Sequence, residues 1–256
     1  NSPSNLKGWH ITTEANCDLC SVKVCTTAHV LSGCKVALSQ GRYTFRHDSI
    51  LRVIGDSIAD FLSNMSTVKS VYSLKTSFVK AGTRMKRAQK KPRIGIFHEC
   101  DDWELSNDFE SSMVFPPVIA VTSSRPDIVC YSLKKRMVVL IELTSPCEEN
   151  FDDRHFDKVS RYHALCETIK KNGRRCYFFA IEVGARGYCA QNVRSCFIRL
   201  GLNNRRIKTL ISDLSSTAIQ CSFLIWMNRN CITWSSRLVG PTINSRHFSN
   251  TCKEKP

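Results

Sequence analysis

The central stretch of this chain, residues 125–144, reads RPDIVCYSLKKRMVVLIELT. Two runs rich in β-branched and aliphatic residues flank a basic turn at 133–136, which is the pattern of a β-hairpin. Each run carries one acid, since Asp127 begins the first run and Glu142 ends the second. In an antiparallel pair the start of one strand lies beside the end of the next. We therefore predict that the two carboxylates meet at one end of the hairpin.

A pair of adjacent carboxylates predicts a site for a divalent cation. Two carboxylates held together repel each other, and a hard cation such as Mg²⁺ relieves that repulsion through its oxygen ligands. The backbone carbonyl of Leu143 would assist, and Thr144 faces the same way as Glu142 because side chains alternate along a strand. Another interpretation stays open for each acid alone, because Asp127 after a proline can simply start a strand and Glu142 can be a solvated strand end.

The hairpin is followed by a predicted helix. Asp152 or Asp153 can cap its start, and it ends near Gly173, a residue type suited to a C-terminal cap. Lys158 and Tyr162 are four residues apart and so share one face of this helix. That face borders an apolar stripe at helical spacing, made of Phe156, Val159, Tyr162, Cys166 and Ile169.

The other predicted elements complete a mixed α/β domain. Residues 48–65 and 205–227 have the apolar periodicity of amphipathic helices, and 190–200 is a candidate short helix. Residues 175–183 form a strong predicted strand, and 114–122 a further one. Acidic residues are concentrated at 99–110. This segment is either a solvated loop or the source of a further metal ligand. Glu182 ends a predicted strand, with a role near the metal as the alternative.

Composition and charge point to a polyanionic partner. The 256 residues are 42% hydrophobic, which is enough for a packed core, and their formal net charge is +15. Such a surplus favours nucleic acid or an anionic membrane. We expect no membrane, because no run looks long enough to span a bilayer and no signal-peptide pattern is seen. Between Lys80 and Arg93 lie seven basic residues and no acidic one, which predicts a linker or arm that contacts phosphates.

The N-terminal region carries a zinc-binding pattern. Cys17 and Cys20 lie two residues apart, and His29 and Cys34 follow at a spacing that can close a tetrahedron around zinc. Four protein ligands leave no open position, so the zinc would be structural, and a segment this short needs a metal to fold. Cys25 could compete as a ligand. Disulfide or redox use of Cys17 and Cys20 is the alternative, although the lack of a signal peptide predicts a reducing compartment for the fourteen cysteines.

Basic and aromatic residues interleave just after this pattern, in the run ALSQGRYTFRHD at 37–48. Such a run suits contact with phosphates and unpaired bases. A packing segment between the zinc pattern and the next helix is an equally good interpretation.

Three motifs, in this order along the chain, resemble those of the PD-(D/E)XK restriction-like endonuclease domain. They are Arg125-Pro126-Asp127, then Glu142-x-Thr144 after fourteen residues, and then Lys158-x-x-Arg161-Tyr162. More narrowly, they resemble the version of this domain in site-specific non-LTR retrotransposon proteins, which place the catalytic lysine on the following helix. Thr144 departs from the E-x-K pattern, and Lys158 is the natural substitute. The upstream Cys-Cys-His-Cys knuckle and the run 37–48 are also similar to that family. The resemblance covers roughly residues 10–200.

The resemblance implies a fold and a domain order. The fold would be an α/β restriction-endonuclease-like core, a small mixed sheet flanked by helices, preceded by a small zinc knuckle. The implied divisions are residues 1–47 for the knuckle, 48–93 for a helical and basic linker, 94–228 for the endonuclease and 229–256 for a basic loose tail.

The resemblance also implies a nuclear DNA endonuclease that uses Mg²⁺ or Mn²⁺. It would nick target DNA so that the freed 3′ hydroxyl primes reverse transcription. Its catalytic residues would be Asp127, Glu142, Lys158 and Tyr162, with Mg²⁺ held by the two acids and phosphates held by Arg125 and Arg161. The implied partners are DNA, RNA as a second candidate, and the reverse transcriptase region that lies upstream of the knuckle in family proteins.

Two other classes of function stay open. One is a nucleic-acid-binding module whose nuclease fold no longer cuts, and the retention of Asp127, Glu142 and Lys158 argues against it. The other is a structural, zinc-organised interaction protein, which the positive charge disfavours.

Overall fold

The structure is a computed structural model that describes residues 1–67, 95–108 and 113–235. Its four strands form one mixed sheet in the order β1-β2-β3-β4. β1 and β2 pair antiparallel, as do β2 and β3, whereas β3 and β4 pair parallel. The strands are β1 (Trp103–Asn107), β2 (Ile128–Ser132), β3 (Met137–Thr144) and β4 (Arg175–Glu182). The predicted basic arm 80–93 and residues 236–256 of the predicted tail lie outside the described residues.

The predicted hairpin is confirmed. β2 and β3 pair with Ile128 opposite Ile141, and the basic turn joins them at 133–136. All of β2 and the first seven residues of β3 are buried. Burial of consecutive residues, which point to alternate faces, means that both faces of the sheet are covered.

The helices that cover the sheet are α3 (Arg42–Thr67), α4 (Phe151–Lys171), α5 (Gln191–Leu200) and α6 (Asn204–Met227), and two short ones, α1 (Pro3–Gly8) and α2 (Lys35–Ser39), lie near the N-terminus. One face of the sheet packs against α4, and the other packs against α3, α5 and α6. α4 also makes the crossover that the parallel pair β3–β4 requires. The predicted helices 190–200 and 205–227 are thereby confirmed, while the domain boundaries stay a prediction.

One predicted strand is wrong. Residues 114–122 form a turn at 117–119 instead of a strand, and Pro116 and Pro117 explain this because proline cannot donate a ladder hydrogen bond. One edge strand of the sheet is β1, which lies inside the acidic segment that was interpreted as a loop. The charged groups of that segment are paired, since Glu104 accepts from the Tyr131 hydroxyl and Asp108 pairs with Arg125.

The apolar stripe of α4 is only partly as predicted. Tyr162, Cys166 and Ile169 are buried, but Phe156 is 75% exposed and Val159 is 39% exposed. The sheet explains the difference, because its face is polar where the first turns of α4 cross it. The inward positions there are His155 and Lys158, which contact carboxylates of the sheet and continue the helical spacing of the buried stripe.

The ends of α4 give one correction and one confirmation. The helix begins at Phe151, so Asp152 and Asp153 lie in its first turn rather than at the cap. Carboxylates in that turn still stabilise the helix through its dipole. At the other end Gly173 has φ +73°, the left-handed conformation that glycine adopts without strain.

α6 is long and apolar enough to cross a bilayer by length and composition, which the sequence expectation had overlooked. In the fold, one side of α6 is buried in the core that it shares with α3 and the sheet. The buried positions on this helix include Ile207, Leu210, Leu214 and Ala218. The helix therefore acts as a core element of the fold.

α3 begins at Arg42, earlier than the predicted start at residue 48. Arg42 and Arg46 are fully buried and donate hydrogen bonds to protein oxygens. The packing interpretation of the run 37–48 therefore holds for these two arginines. The start of the predicted tail contributes to this packing, because Trp234 lies under the Arg42 guanidinium at 5.1 Å.

Candidate active site and zinc cluster

Asp127 and Glu142 lie side by side at one end of the hairpin. The backbone N–H of Asp127 donates to Oε2 of Glu142 at 3.2 Å, and the backbone N–H of Leu143 donates to Oδ2 of Asp127 at 2.7 Å. These reciprocal bonds fix both carboxylates against the strand ends. Glu142 is only 3% exposed, and the Asp127 side chain retains 13% exposure.

Lys158 reaches the same place from α4. Its Nζ forms an ion pair with Oε1 of Glu142. Burial raises the pKa of Glu142, and the neighbouring charge of Asp127 raises it further, while Lys158 acts in the opposite direction. The structure thus brings together three charged side chains from two strands and a helix.

Tyr162 ties α4 to the segment that leads into β2. Its hydroxyl donates to the backbone oxygen of Arg125 at 2.8 Å. Burial and the adjacent charge of Glu142 raise the pKa of Tyr162 above its ordinary value. A neutral, buried phenol of this kind positions its neighbours rather than carrying charge.

The two predicted phosphate-binding arginines do not contact the carboxylate pair within the described ranges. Arg125 is half exposed, and its guanidinium contacts both oxygens of Asp108 at 2.8 Å. Arg161 is exposed on α4, one position before Tyr162.

His47 is a neighbour of the site that the sequence did not single out. Its Nε2 lies 3.4 Å from Oδ2 of Asp127, and its Nδ1 lies 3.0 Å from Oδ1 of Asp48. Burial lowers the pKa of His47, but the two carboxylates outweigh that effect and raise the pKa to about 10. The available signal was its place in the run 37–48, one of the segments that carry the resemblance.

A second buried carboxylate lies beside the first pair. Glu182, at the end of β4, is 2% exposed and pairs in register with Thr144. His155 Nδ1 lies 3.0 Å from Oε1 of Glu182, and the amide of Asn192 donates to the other carboxylate oxygen. His155 and Lys158 therefore reach two carboxylates of the sheet from consecutive turns of α4.

No protein-family model matches this chain, and no curated protein matches it either.

The four predicted zinc ligands converge near the N-terminus. The ligand atoms of Cys17, Cys20, His29 and Cys34 all lie within 4.8 Å of one another. Cys17 Sγ is 4.0 Å from Cys34 Sγ, and Cys20 Sγ is 3.2 Å from His29 Nε2. Ligands around a tetrahedral zinc ion are separated by about 3.3–3.8 Å, so this cluster can bind zinc.

The alternatives for these cysteines are less well supported. Cys25 is buried beside the cluster but is not one of the four converging ligands. Cys17 and Cys20 are free thiols. The hydroxyl of Tyr43 joins the cluster to α3, since it accepts from the backbone N–H of Cys34 at 3.0 Å and donates to the backbone oxygen of Val30 at 3.0 Å.

The acidic segment at 99–110 does not gather into a further metal cluster in its described part, which leaves out residues 109 and 110. Its acids lie with separate partners instead. Glu99 pairs with Arg175, and Asp101 pairs with Lys134.

Proposed function

We propose that the protein is a metal-dependent DNA endonuclease with a PD-(D/E)XK restriction-like core, from the C-terminal part of a non-LTR retrotransposon protein. The observation that carries this proposal is the convergence of Asp127, Glu142 and Lys158, which are far apart along the chain. The element order supports the same fold, because α3, the hairpin, α4 and β4 follow the helix, hairpin, helix and strand order that the resemblance implies.

The donor set suits a hard divalent cation such as Mg²⁺ or Mn²⁺. Two carboxylates are held together, and the raised pKa of Glu142 reflects the unfavourable burial and repulsion that a cation would relieve. Among the described residues no protein donor contacts Oδ1 of Asp127, so this oxygen is open to a ligand. The chemistry that a bound Mg²⁺ supplies is activation of a water molecule and stabilisation of charge on the scissile phosphate.

The side chains around the two acids have distinct roles in this proposal. Lys158 orients Glu142 and offsets the negative charge of the pentacovalent transition state. His47 and the N–H of Leu143 hold Asp127 in a fixed orientation. Tyr162 fixes the entry to β2 through the backbone of Arg125. Arg161 is exposed and free to contact a phosphate, whereas Arg125 would first have to leave Asp108.

The wider role follows from the resemblance. The enzyme would nick target DNA in the nucleus and supply a 3′ hydroxyl to the reverse transcriptase region of the full-length family protein, with RNA as a second nucleic-acid partner. The zinc cluster would be structural and would hold the N-terminal segment against α3.

Nicking of supercoiled plasmid tests the proposal. We expect the full chain to produce nicked circles only with Mg²⁺ or Mn²⁺, and Asp127→Ala to reduce the rate on the order of 10²-fold or more. Asp157→Ala is the matched control, because Asp157 is an exposed acid on α4 that pairs with Arg154. Equal cutting by Asp127→Ala, or no metal-dependent cutting, would reject the enzyme. DNA binding without cutting would favour the inactive binding module.

A further inference from the structure

A pocket of about 310 Å³ adjoins the candidate active site. It lies between the turn at His29–Gly33, the first turns of α3, the end of β3 and the start of α4. His47 belongs to both places, because it lines the pocket and contacts Asp127. No carboxylate lines the pocket among the described residues, whereas Arg46 and Arg154 do.

Arg46 places a buried positive charge in the wall of this pocket. The residue is fully buried, and its guanidinium donates to four neutral oxygens, two of Ser145, one of Leu31 and one of Ser222. Burial lowers the pKa of Arg46, since desolvation disfavours a cation, and neighbours such as Cys147 and Glu148 offset that effect only in part. An anion in the pocket would offset that charge.

Two hydroxyl groups in the pocket wall have no hydrogen bond of acceptable geometry within the described structure, and both are buried. They are Thr144 Oγ1 and Ser32 Oγ, and a polar neighbour of Ser32 is the weakly hydrogen-bonding thiol of Cys147. A buried polar group without a partner is unfavourable and is rare in a folded protein. Both residues line the same pocket although their hydroxyl groups are covered, so rotation of each side chain toward the pocket would let one ligand with several acceptor oxygens satisfy both hydroxyls.

We propose that this pocket is a phosphate subsite, which holds the phosphate of a nucleotide next to the one that is cleaved. This inference rests on the proposed function, because nucleic acid supplies the phosphate. Ser32 and Thr144 donate hydrogen bonds to the phosphate oxygens. The buried Arg46 offsets the negative charge of the phosphate, and Arg154 lies at the exposed edge of the pocket. Ser32 lies between the zinc ligands His29 and Cys34, so the zinc cluster sets the position of one wall.

The test uses thymidine 3′,5′-bisphosphate as the probe, titrated calorimetrically into the full chain without added Mg²⁺. We expect Ser32→Ala and Thr144→Val each to weaken binding about tenfold, the usual effect of losing one hydrogen bond to a charged group. The same variants should keep or raise the melting temperature, because each removes a buried hydroxyl that has no partner in the free protein. Thr168→Val, at an exposed site on α4, is the matched control and should bind as the wild type does.

The outcomes separate this subsite from the endonuclease proposal, because binding of the probe requires no cleavage. Failure of the wild type to bind the bisphosphate, or wild-type affinity in both folded variants, would overturn the subsite even if the protein nicks DNA. Weakened binding in both variants would support the subsite even if the protein nicks nothing.

Discussion

At the scale of single residues, Glu142 is a carboxylate whose ionised form is unfavourable in the folded protein. The carboxylate is almost fully buried, and it lies between an attracting Lys158 and a repelling Asp127. The net effect is a raised pKa, so the folded protein holds this proton more tightly than the unfolded chain does. A group of this kind lowers the stability of the fold as pH rises.

This sign leads to a prediction for Glu142→Gln. Glutamine can still accept from the N–H of Asp127 but cannot ionise. In the wild type, the free energy of unfolding should fall as the pH rises above the ordinary titration range of glutamate and Glu142 deprotonates, and the variant should lack that fall. Urea unfolding across a series of rising pH values measures the difference, with Glu14→Gln at an exposed site as the control. An unchanged pH dependence in Glu142→Gln would contradict the prediction.

The same residue allows a metal test that is independent of DNA. Mg²⁺ that binds only the folded protein must raise the melting temperature by mass action. We expect a rise in the wild type that grows with Mg²⁺ concentration and disappears in Glu142→Gln. An equal rise in the variant would place the bound metal elsewhere.

Other site residues show the limit of sequence reasoning at this scale. Asp127 and Glu142 were identified because strand pairing in a hairpin brings them together, and Lys158 was identified through the resemblance to restriction-like endonucleases. His47 and His155 were missed as partners of Asp127 and Glu182, since each contact depends on how a helix docks on the sheet. Docking angle and depth leave no periodic signal in one sequence.

At the scale of elements, α3 joins the zinc cluster to the sheet through buried arginines. Arg46 reaches Leu31 near the cluster, Ser145 after β3 and Ser222 on α6. The guanidinium thus holds together three parts of the chain that are distant in sequence.

We predict that Arg46→Ala lowers the free energy of unfolding by at least about 2 kcal/mol, because it leaves buried acceptors unsatisfied. Urea denaturation followed by circular dichroism measures the change. Lys208→Ala, at an exposed position of α6, should change stability by no more than about 0.5 kcal/mol. Similar values for the two variants would show that Arg46 has no such structural role.

The zinc cluster is the second element that can be tested directly. Purified protein should contain about one zinc per chain, and the double variant Cys17→Ser with Cys20→Ser should lose it. The melting temperature should fall with the metal, because Tyr43 couples the cluster to α3. Cys231→Ser, outside the cluster, should retain its zinc. An unchanged metal content in the double variant would disprove the site.

At the scale of the whole molecule, the net charge of +15 dominates association. The charge attracts polyanions over long distances without regard to sequence, while the pocket and the carboxylate pair act only after contact. DNA affinity should therefore fall steeply as salt rises. If about four phosphates are neutralised, the fall between about 50 and 200 mM salt is about a hundredfold.

Fluorescence anisotropy with a labelled duplex measures this dependence. Arg154→Ala should reduce the magnitude of the slope of log affinity against log salt by about 1, which corresponds to the loss of one phosphate contact. Affinity that does not depend on salt would favour the structural interaction protein over any nucleic-acid enzyme.

Local spacing in the sequence was enough to predict the hairpin, the crossover helix, the last two helices and the four candidate zinc ligands. It also placed Asp127 beside Glu142, since strand pairing sets that neighbourhood. It failed at 114–122 and at Phe156, where apolar character was interpreted as burial.

Which side chains share a desolvated environment depends on how distant segments pack together. Among the described residues, this packing buries Arg46 against neutral oxygens, leaves Ser32 and Thr144 without hydrogen bonds beside one pocket, and sets His47 against Asp127. Their unfavourable energies arise from exclusion of water by segments distant in sequence. No residue spacing within a single segment can encode that exclusion.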